Sequence, residues 1–212
     1  MRDRQAGLEA VLKRAPVVPV LVIDDVADAV QLAKALVEGG LPVLEITLRT
    51  KAAPECIRAI RAEVKNAIVG SGTVLDAQSL KLSEELGCAF AVSPGATSAL
   101  LDAAEAGKCP LLPASRSPSE TMLLLERGYH LQKFFPAEQS GGAPYLSALA
   151  SPLPQVRFCP TGGITAEIAP HYLKLSNVIT IGGSWMAPKS LIAARDWAGI
   201  ARLAAAAARL KA

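Results

Sequence analysis

The chain has 212 residues, of which 51% are hydrophobic and 19% are charged, and its formal net charge is +3. This length suits one well-buried domain, so we predict a single domain over residues 1–212. The modest charge, without a basic run, argues against nucleic acid as a partner. No stretch approaches the roughly 20 apolar residues that cross a bilayer, so no membrane partner is expected.

The cysteines are widely spaced and form no CxxC pair, and the chain has only two histidines. A Cys/His zinc site is therefore not expected, and buried free thiols in a reducing compartment are the better interpretation. Residues 1–16 carry acidic side chains and lack a long apolar core, so they do not resemble a signal peptide. We predict a cytoplasmic protein. The four cysteines are Cys56, Cys88, Cys109 and Cys159.

Short β-branched runs alternate with segments of helical spacing along the chain. The predicted strands cover residues 17–23, 43–48, 67–74, 89–93, 110–114, 131–135, 156–160 and 178–181. The predicted helices cover residues 26–38, 54–64, 77–86, 97–106, 118–127, 143–150, 166–172 and, in an Ala-rich stretch, 191–210. Strands that alternate with helices are typical of βαβ units and a parallel sheet.

About eight such units predict an α/β protein whose strands close into a (β/α)8 TIM barrel, with an additional helix at the N-terminus. A doubly wound open sheet is the alternative, but it usually carries a glycine-rich turn after its first strand. In this chain the paired glycines come late, near residues 162 and 182. Single or paired glycines near residues 39, 87, 107 and 128 fall where helices should end.

Polar side chains interrupt the second predicted strand. Because strand side chains alternate between faces, Glu45, Thr47 and Arg49 should point together into the barrel. A Glu–Arg pair that merely fills the interior is one interpretation. A functional role is favoured, because Arg49 ends the strand and active sites of such barrels lie at the C-terminal strand ends.

Lys133 lies within another run that should be buried, and it shares a face with Phe135. An exposed surface lysine is the ordinary alternative. Apolar surroundings disfavour the ammonium form and leave a neutral amine that can attack a carbonyl carbon. Glu45, on a nearby strand, would then shuttle the protons that such chemistry requires.

Small residues mark the ends of three predicted strands. Thr73 follows Gly70, Ser71 and Gly72, and it offers a hydroxyl where a ligand can approach the backbone, although a tight turn is the alternative. The last two strands end in paired glycines, whose exposed N–H groups, with the positive end of a following helix, suit a phosphate. Two coincidental turns are the alternative. These residues are Gly162, Gly163, Gly182 and Gly183, followed by Ser184.

Six motifs together resemble the 2-keto-3-deoxy-6-phosphogluconate (KDPG) / 4-hydroxy-2-oxoglutarate aldolase family. They are VLEITLRT (43–50), GSGTVLD (70–76), AVSPGAT (91–97), KFFPAE (133–138), RFCPTGGI (157–164) and IGGSW (181–185). The resemblance covers nearly the whole chain. It implies a class I aldolase without metal or cofactor, usually a homotrimer, that acts on a phosphorylated keto acid in the Entner–Doudoroff route.

The resemblance also implies a role for each matching residue. Lys133 would form the Schiff base, and Glu45 would be the general acid and base. The substrate-binding residues would be Arg49 and Thr73 for the pyruvate carboxylate, Pro94 and Phe135 for the pyruvate pocket, Thr161 for the hydroxyl or aldehyde, and Gly162, Gly163, Gly182, Gly183 and Ser184 for the phosphate.

The implied reaction cleaves KDPG to pyruvate and glyceraldehyde 3-phosphate. Three alternatives stay open: chiefly 4-hydroxy-2-oxoglutarate as substrate, the 6-phosphogalactonate epimer, or a phosphate-ester-binding barrel without catalysis. The chain departs from the family pattern at Ala114, where a glycine is usual, at Ser71, where alanine is common, and at Arg116, where a small residue is usual. Arg116 is either a solvated loop charge, which is favoured, or an extra contact to phosphate or carboxylate.

Overall fold

The computed structural model describes residues 2–210, in which helices and short parallel strands alternate. The strands are β1 (Val17–Leu21), β2 (Val43–Thr47), β3 (Ile68–Gly72), β4 (Ala91–Val92), β5 (Leu111–Leu112), β6 (Ala114–Ser115), β7 (Leu131–Phe134), β8 (Arg157–Pro160) and β9 (Ile181–Gly183). The helices are α1 (Arg2–Leu12), α2 (Val26–Glu38), α3 (Ala53–Glu63), α4 (Ala77–Glu85), α5 (Ser98–Ala106), α6 (Pro118–Glu126), α7 (Gly142–Leu149), α8 (Ala169–Leu173), α9 (Lys189–Ala193) and α10 (Trp197–Ala208). The predicted α/β class and the N-terminal helix are confirmed.

The strands form curled, parallel sheets. One sheet has six strands in the order β5-β4-β3-β2-β1-β9, and the other has three in the order β6-β7-β8. Isolated parallel bridges join Phe158 to Val178 and Thr161 to Gly182, so β8 and the residue after it approach β9 and the segment that leads into it. Parallel strands place all their C-terminal ends on one side, which brings the loops after the strands together.

The fifth predicted strand, 110–114, is interrupted. Pro113 separates β5 from β6, because proline has no N–H to donate to a neighbouring strand. Its carbonyl still accepts a hydrogen bond from the backbone N of Lys133 at 2.9 Å. As a result β5 pairs with β4 while β6 pairs with β7, so the predicted run is divided between the two sheets.

The Ala-rich C-terminal segment is two helices, so the prediction of one helix over 191–210 is wrong in its extent. The chain breaks between α9 and α10, where Arg195 has a φ of +50°. Asp196 then starts α10, since its carboxylate accepts a hydrogen bond from the backbone N of Gly199 at 2.8 Å. A carboxylate at this position satisfies an N–H group that a continuous helix would already have paired.

Apolar residues form two separate clusters, one on the inner side of the curled sheets and one between the strands and the helices. The interior cluster contains Leu8 and Leu12 of α1 together with Val18, Val43, Phe90, Val92, Leu112, Leu131 and Cys159. Leu44 and Ile46 instead join the larger cluster beneath the helices. This alternation confirms the predicted faces of β2, and α1 covers the interior at the N-terminal ends of the strands.

All four cysteines are buried and free, as predicted. Burial raises the pKa of the Cys88 thiol from its ordinary 9.0 to about 11, and burial raises the pKa of the Cys109 thiol to about 12.

Within residues 2–210, no helix combines the length and the apolar composition that a membrane span requires.

The buried thiols of Cys88 and Cys109 make the stability of the folded protein sensitive to alkaline pH. Between pH 9 and the folded pKa values, the unfolded chain loses its thiol protons while the folded chain keeps them, so the free energy of unfolding should fall as pH rises. The expected slope is at most about 1.4 kcal/mol per pH unit for each thiol. Urea unfolding under reducing conditions at several pH values above 9 measures this change in the free energy of unfolding with pH. Cys88→Ala should show a shallower fall, and equal slopes in both proteins would contradict this assignment.

Candidate active site

Lys133 and Glu45 meet on the inner side of the curled sheets. The Nζ of Lys133 lies 3.6 Å from the Oε1 of Glu45, and each side chain is 5% exposed. That separation is too long for a normal hydrogen bond, and Oε1 has no hydrogen-bond partner within residues 2–210. The sequence predicted both inward-facing side chains, and the structure brings them into contact as a buried ion pair with an acceptor oxygen still available.

The space around this pair depends on Gly72, which sequence reasoning treated only as a small residue near a strand end. A Cβ at position 72 would overlap the Oε1 and Cγ atoms of Glu45. Gly72 pairs with Thr47 in the register of β2 and β3, so it lies beside the carboxylate-bearing strand. Any side chain there would have to displace Glu45. The spacing of polar residues along β2 gave no signal of this requirement.

Small and aromatic residues surround the amine of Lys133. Its strand partners are Ala114 on β6 and Cys159 on β8, both buried. The ring of Phe135 lies with its centroid 5.1 Å from Nζ, a distance at which a ring face attracts a cation. The amine therefore sits between compact side chains and one aromatic wall, with Glu45 as its charged neighbour.

A buried polar network holds the opposite face of β7. The hydroxyl of Ser115 donates to Oε1 of Gln132 at 2.7 Å. The amide nitrogen of Gln132 donates to the carbonyls of Thr121 at 3.1 Å and Tyr129 at 2.9 Å. Because every polar atom of the Gln132 side chain is paired, the network fixes β7 against β6 and α6. These hydrogen bonds therefore fix the position of β7, which carries Lys133, from the face opposite the Lys133 side chain.

Arg49 and Thr73 lie together beyond the ends of β2 and β3. The Nε of Arg49 donates to Oγ1 of Thr73 at 2.9 Å. Thr73 has a φ of +60°, in the left-handed region that a β-branched residue rarely adopts. Such strain is found where the surrounding structure holds a residue for a functional reason. The two side chains that the resemblance assigns to the pyruvate carboxylate therefore lie in contact at the strand ends.

One cavity of about 220 Å³ gathers most of the remaining predicted residues. Val20, Val22 and Ile164, which sequence reasoning did not single out, also line it, because their plain apolar character gave no functional signal. Gly182 leaves room for Thr161, since a Cβ there would overlap the Thr161 hydroxyl. The predicted residues on its wall are Arg49, Phe135, Thr161, Gly162, Gly163, Gly182, Gly183 and Ser184.

The helices after the two glycine pairs were expected to direct their positive N-terminal ends at an anion site, but the structure does not place them there. The helix after Gly163 begins only at Ala169, and the helix after Ser184 begins at Lys189. Each has five residues, and several loop residues separate it from the glycines. Gly162 and Gly163 have φ values of +107° and +76°, so the turn itself, and not a helix end, sets the direction of their N–H groups.

Pro94 lies in a second cavity of about 170 Å³, which shares Phe135 with the first. Arg116 also lines this second cavity, and it is exposed. The backbone N of Arg116 donates to Oε2 of Glu120 at 2.8 Å. The structure therefore places Pro94 in a cavity that adjoins the one with the glycine pairs at Phe135.

Comparisons with known proteins show similarity over nearly the whole chain. A curated KHG/KDPG aldolase of Escherichia coli K12 is 49% identical over 204 residues, which are 96% of each chain. The structure of the Zymomonas mobilis ZM4 2-keto-3-deoxy-6-phosphogluconate aldolase with 3-phosphoglycerate superposes with a TM-score of 0.92 at 49% identity, and covers 100% of this chain and 97% of that one.

A KDPG aldolase from Legionella pneumophila, with pyruvate captured at low pH as a covalent carbinolamine intermediate, superposes with a TM-score of 0.92 at 42% identity. The match covers 94% of this chain and 97% of that one. The sequence profile of the aldolase family described as KDPG and KHG aldolase matches residues 8–203. This chain therefore belongs to the KDPG and KHG aldolase family.

Proposed function

We propose that this protein is a class I aldolase that cleaves KDPG to pyruvate and glyceraldehyde 3-phosphate through a Schiff base on Lys133. The observation that carries the proposal is the buried contact of 3.6 Å between Lys133 and Glu45, beside a cavity lined by Arg49 and two glycine pairs. The named relatives supply the substrate, and the carbinolamine of the Legionella protein supports covalent chemistry at the keto carbon.

Each chemical step then has a residue to perform it. Glu45 accepts a proton from the Nζ of Lys133, the amine attacks the keto carbon, and Glu45 returns the proton as water leaves, which gives a protonated imine. The imine accepts the electrons of the C3–C4 bond as that bond breaks and the aldehyde departs. The resulting enamine takes a proton at C3, and water hydrolyses the imine to release pyruvate. Glu45, with an unpaired oxygen near Nζ, moves the protons.

The binding residues divide between the two ends of the substrate. Arg49 and Thr73 would hold the pyruvate carboxylate, since a guanidinium pairs well with a planar carboxylate. Thr161 would contact the hydroxyl or aldehyde oxygen, while Pro94 and Phe135 would enclose the pyruvate carbons. The phosphate would lie on the N–H groups and hydroxyl of Gly162, Gly163, Gly182, Gly183 and Ser184, which share one cavity wall.

We further propose that the two sheets complete one closed (β/α)8 barrel in a single domain. Its support is that β5 and β6 are separated only by Pro113 and that isolated bridges link β8 with the segment carrying β9. A homotrimer in the cytoplasm, working in the Entner–Doudoroff route, follows the family habit. Light scattering should give three times the chain mass, and a monomer mass would contradict the trimer.

Two other substrates remain candidates within the same mechanism. The family name and the E. coli relative include KHG, which is 4-hydroxy-2-oxoglutarate. The 6-phosphogalactonate epimer differs at a hydroxyl that Thr161 would face. A phosphate-ester-binding protein without catalysis is disfavoured, because the buried Lys133–Glu45 pair would then serve no purpose and buried pairs add little stability.

The covalent step is tested by borohydride reduction in the presence of pyruvate. One reduced pyruvate adduct should form, and peptide mass mapping should place it on Lys133. Lys133→Ala should lose both the adduct and turnover, whereas Lys65→Ala, at an exposed position, should keep both. An unmodified protein, or an adduct on another lysine, would rule out this mechanism.

The strained backbone of Thr73 provides a second test. Thr73→Asn should raise the melting temperature by about 2–4 °C, because asparagine tolerates a positive φ. It should also lower kcat/KM for KDPG, since Arg49 loses its Thr73 hydroxyl partner. Thermal unfolding and steady-state kinetics measure the two effects.

The matched control is Arg195→Asn, at the other non-glycine residue with a positive φ in the described range. It should raise the melting temperature by less, because the substitution also removes the ion pair between Arg195 and Asp28, and it should leave activity unchanged. If Thr73→Asn kept full activity, Thr73 would have no part in holding the substrate.

A further inference from the structure

Arg116 lines the second cavity, which shares Phe135 with the cavity that contains the glycine pairs. That cavity has a volume of about 170 Å³, and Phe135 forms part of the wall of both cavities. The Phe135 ring centroid is also 5.1 Å from the Nζ of Lys133, so a residue shared by both cavities lies beside the nucleophile. The nucleophile therefore has two neighbouring cavities of different chemistry.

The charge of Arg116 is available to a ligand. Within residues 2–210, its guanidinium makes no hydrogen bond or ion pair. The nearby acid, Glu120, is already engaged, because its Oε2 accepts from the backbone N of Arg116 at 2.8 Å and of Ser117 at 2.9 Å. The start of α6 offers little competition for an anion, since Ser117 and Glu120 form a capping box that uses its N–H groups.

Glu120 also faces this cavity and repels an anion to some degree. Burial alone would raise the pKa of Glu120, but hydrogen bonds from Arg116 and Ser117 outweigh burial and hold the pKa below its ordinary value. Glu120 is therefore a carboxylate at neutral pH. Arg116 remains the only cation on the wall of this cavity in the described part of the chain.

The two cavities suit different anions. Paired glycines in a tight turn present N–H groups to a tetrahedral phosphate, whereas a guanidinium presents a planar fork that matches a carboxylate. In 4-hydroxy-2-oxoglutarate the terminal carboxylate lies much closer to the keto carbon than the phosphate does in KDPG. A short dicarboxylic acid therefore cannot use a site placed for the end of the longer sugar acid.

We propose that Arg116 binds the terminal carboxylate of short dicarboxylic 2-keto acids such as 4-hydroxy-2-oxoglutarate, and so sets the selectivity between this substrate class and phosphate esters. This proposal rests on the proposed aldolase function. It assigns the phosphate ester to the cavity with the glycine pairs and the dicarboxylate to the cavity with Arg116, while both substrates share Lys133, Glu45 and the pyruvate-binding residues.

The test compares kcat/KM for 4-hydroxy-2-oxoglutarate and KDPG in the parent and in Arg116→Gln. For 4-hydroxy-2-oxoglutarate, kcat/KM should fall about fivefold, as expected for an exposed arginine–carboxylate contact. For KDPG it should stay within about twofold, which is below the size of one such contact. Arg116→Lys should recover only part of the loss, because an ammonium keeps the charge but lacks the planar fork.

Lys189→Gln is the matched control for loss of one positive charge, since Lys189 lines a separate cavity with Asp24 and Asp28. It should leave the ratio of the two kcat/KM values unchanged. The proposal is overturned if Arg116→Gln lowers both substrates equally, changes neither, or if the parent does not cleave 4-hydroxy-2-oxoglutarate. Failure of pyruvate trapping on Lys133 would overturn the aldolase function instead, so the two failures are distinguishable.

Discussion

The contact between Lys133 and Glu45 is the constraint that the rest of the structure serves. Two ionisable side chains lie 3.6 Å apart beside an apolar cluster that includes Val43, Leu131 and Cys159. Removing such groups from water costs several kcal/mol for each ion, and their attraction offsets that cost only when the geometry is favourable. The surrounding strands must therefore hold both side chains in place.

That geometry depends on small residues next to Lys133 and Glu45. Gly72 leaves the volume that the carboxylate of Glu45 fills, and Ala114 and Cys159 keep the positions beside Lys133 small. On the other face of β7, Gln132 pairs its side-chain amide completely, which replaces apolar packing with directional bonds. The small residues leave space beside Lys133, and the hydrogen bonds of Gln132 hold β7 rigidly on its opposite face.

Much of this site could be predicted from sequence, because strand periodicity is a local property. The alternation along β2 placed Glu45 inward and Leu44 outward, and the same argument placed Lys133 beside Phe135. The family resemblance assigned Arg49 and Thr73 to the same carboxylate, so they were expected to be near one another. Their hydrogen bond of 2.9 Å fits that expectation.

What could not be predicted depends on contacts between distant segments or on single backbone angles. The division of the fifth strand follows from the missing N–H of Pro113, and the break before α10 follows from Asp196 capping a new helix. The need for Gly72 arises only once β3 lies beside Glu45. Local sequence also could not show that the helices after the glycine pairs begin several residues downstream.

The N-terminal helix has a consequence for the order in which the chain can fold. Gln5 accepts a hydrogen bond of 2.9 Å from the backbone N of Leu131, a residue 126 positions later, at the start of the strand that carries Lys133. Leu8 and Leu12 likewise find their partners on strands spread along the chain. Contacts between such remote segments form slowly, because a long loop must close first. During synthesis, the contacts between α1 and the N-terminal ends of the strands therefore cannot all form until more than half of the polypeptide has emerged.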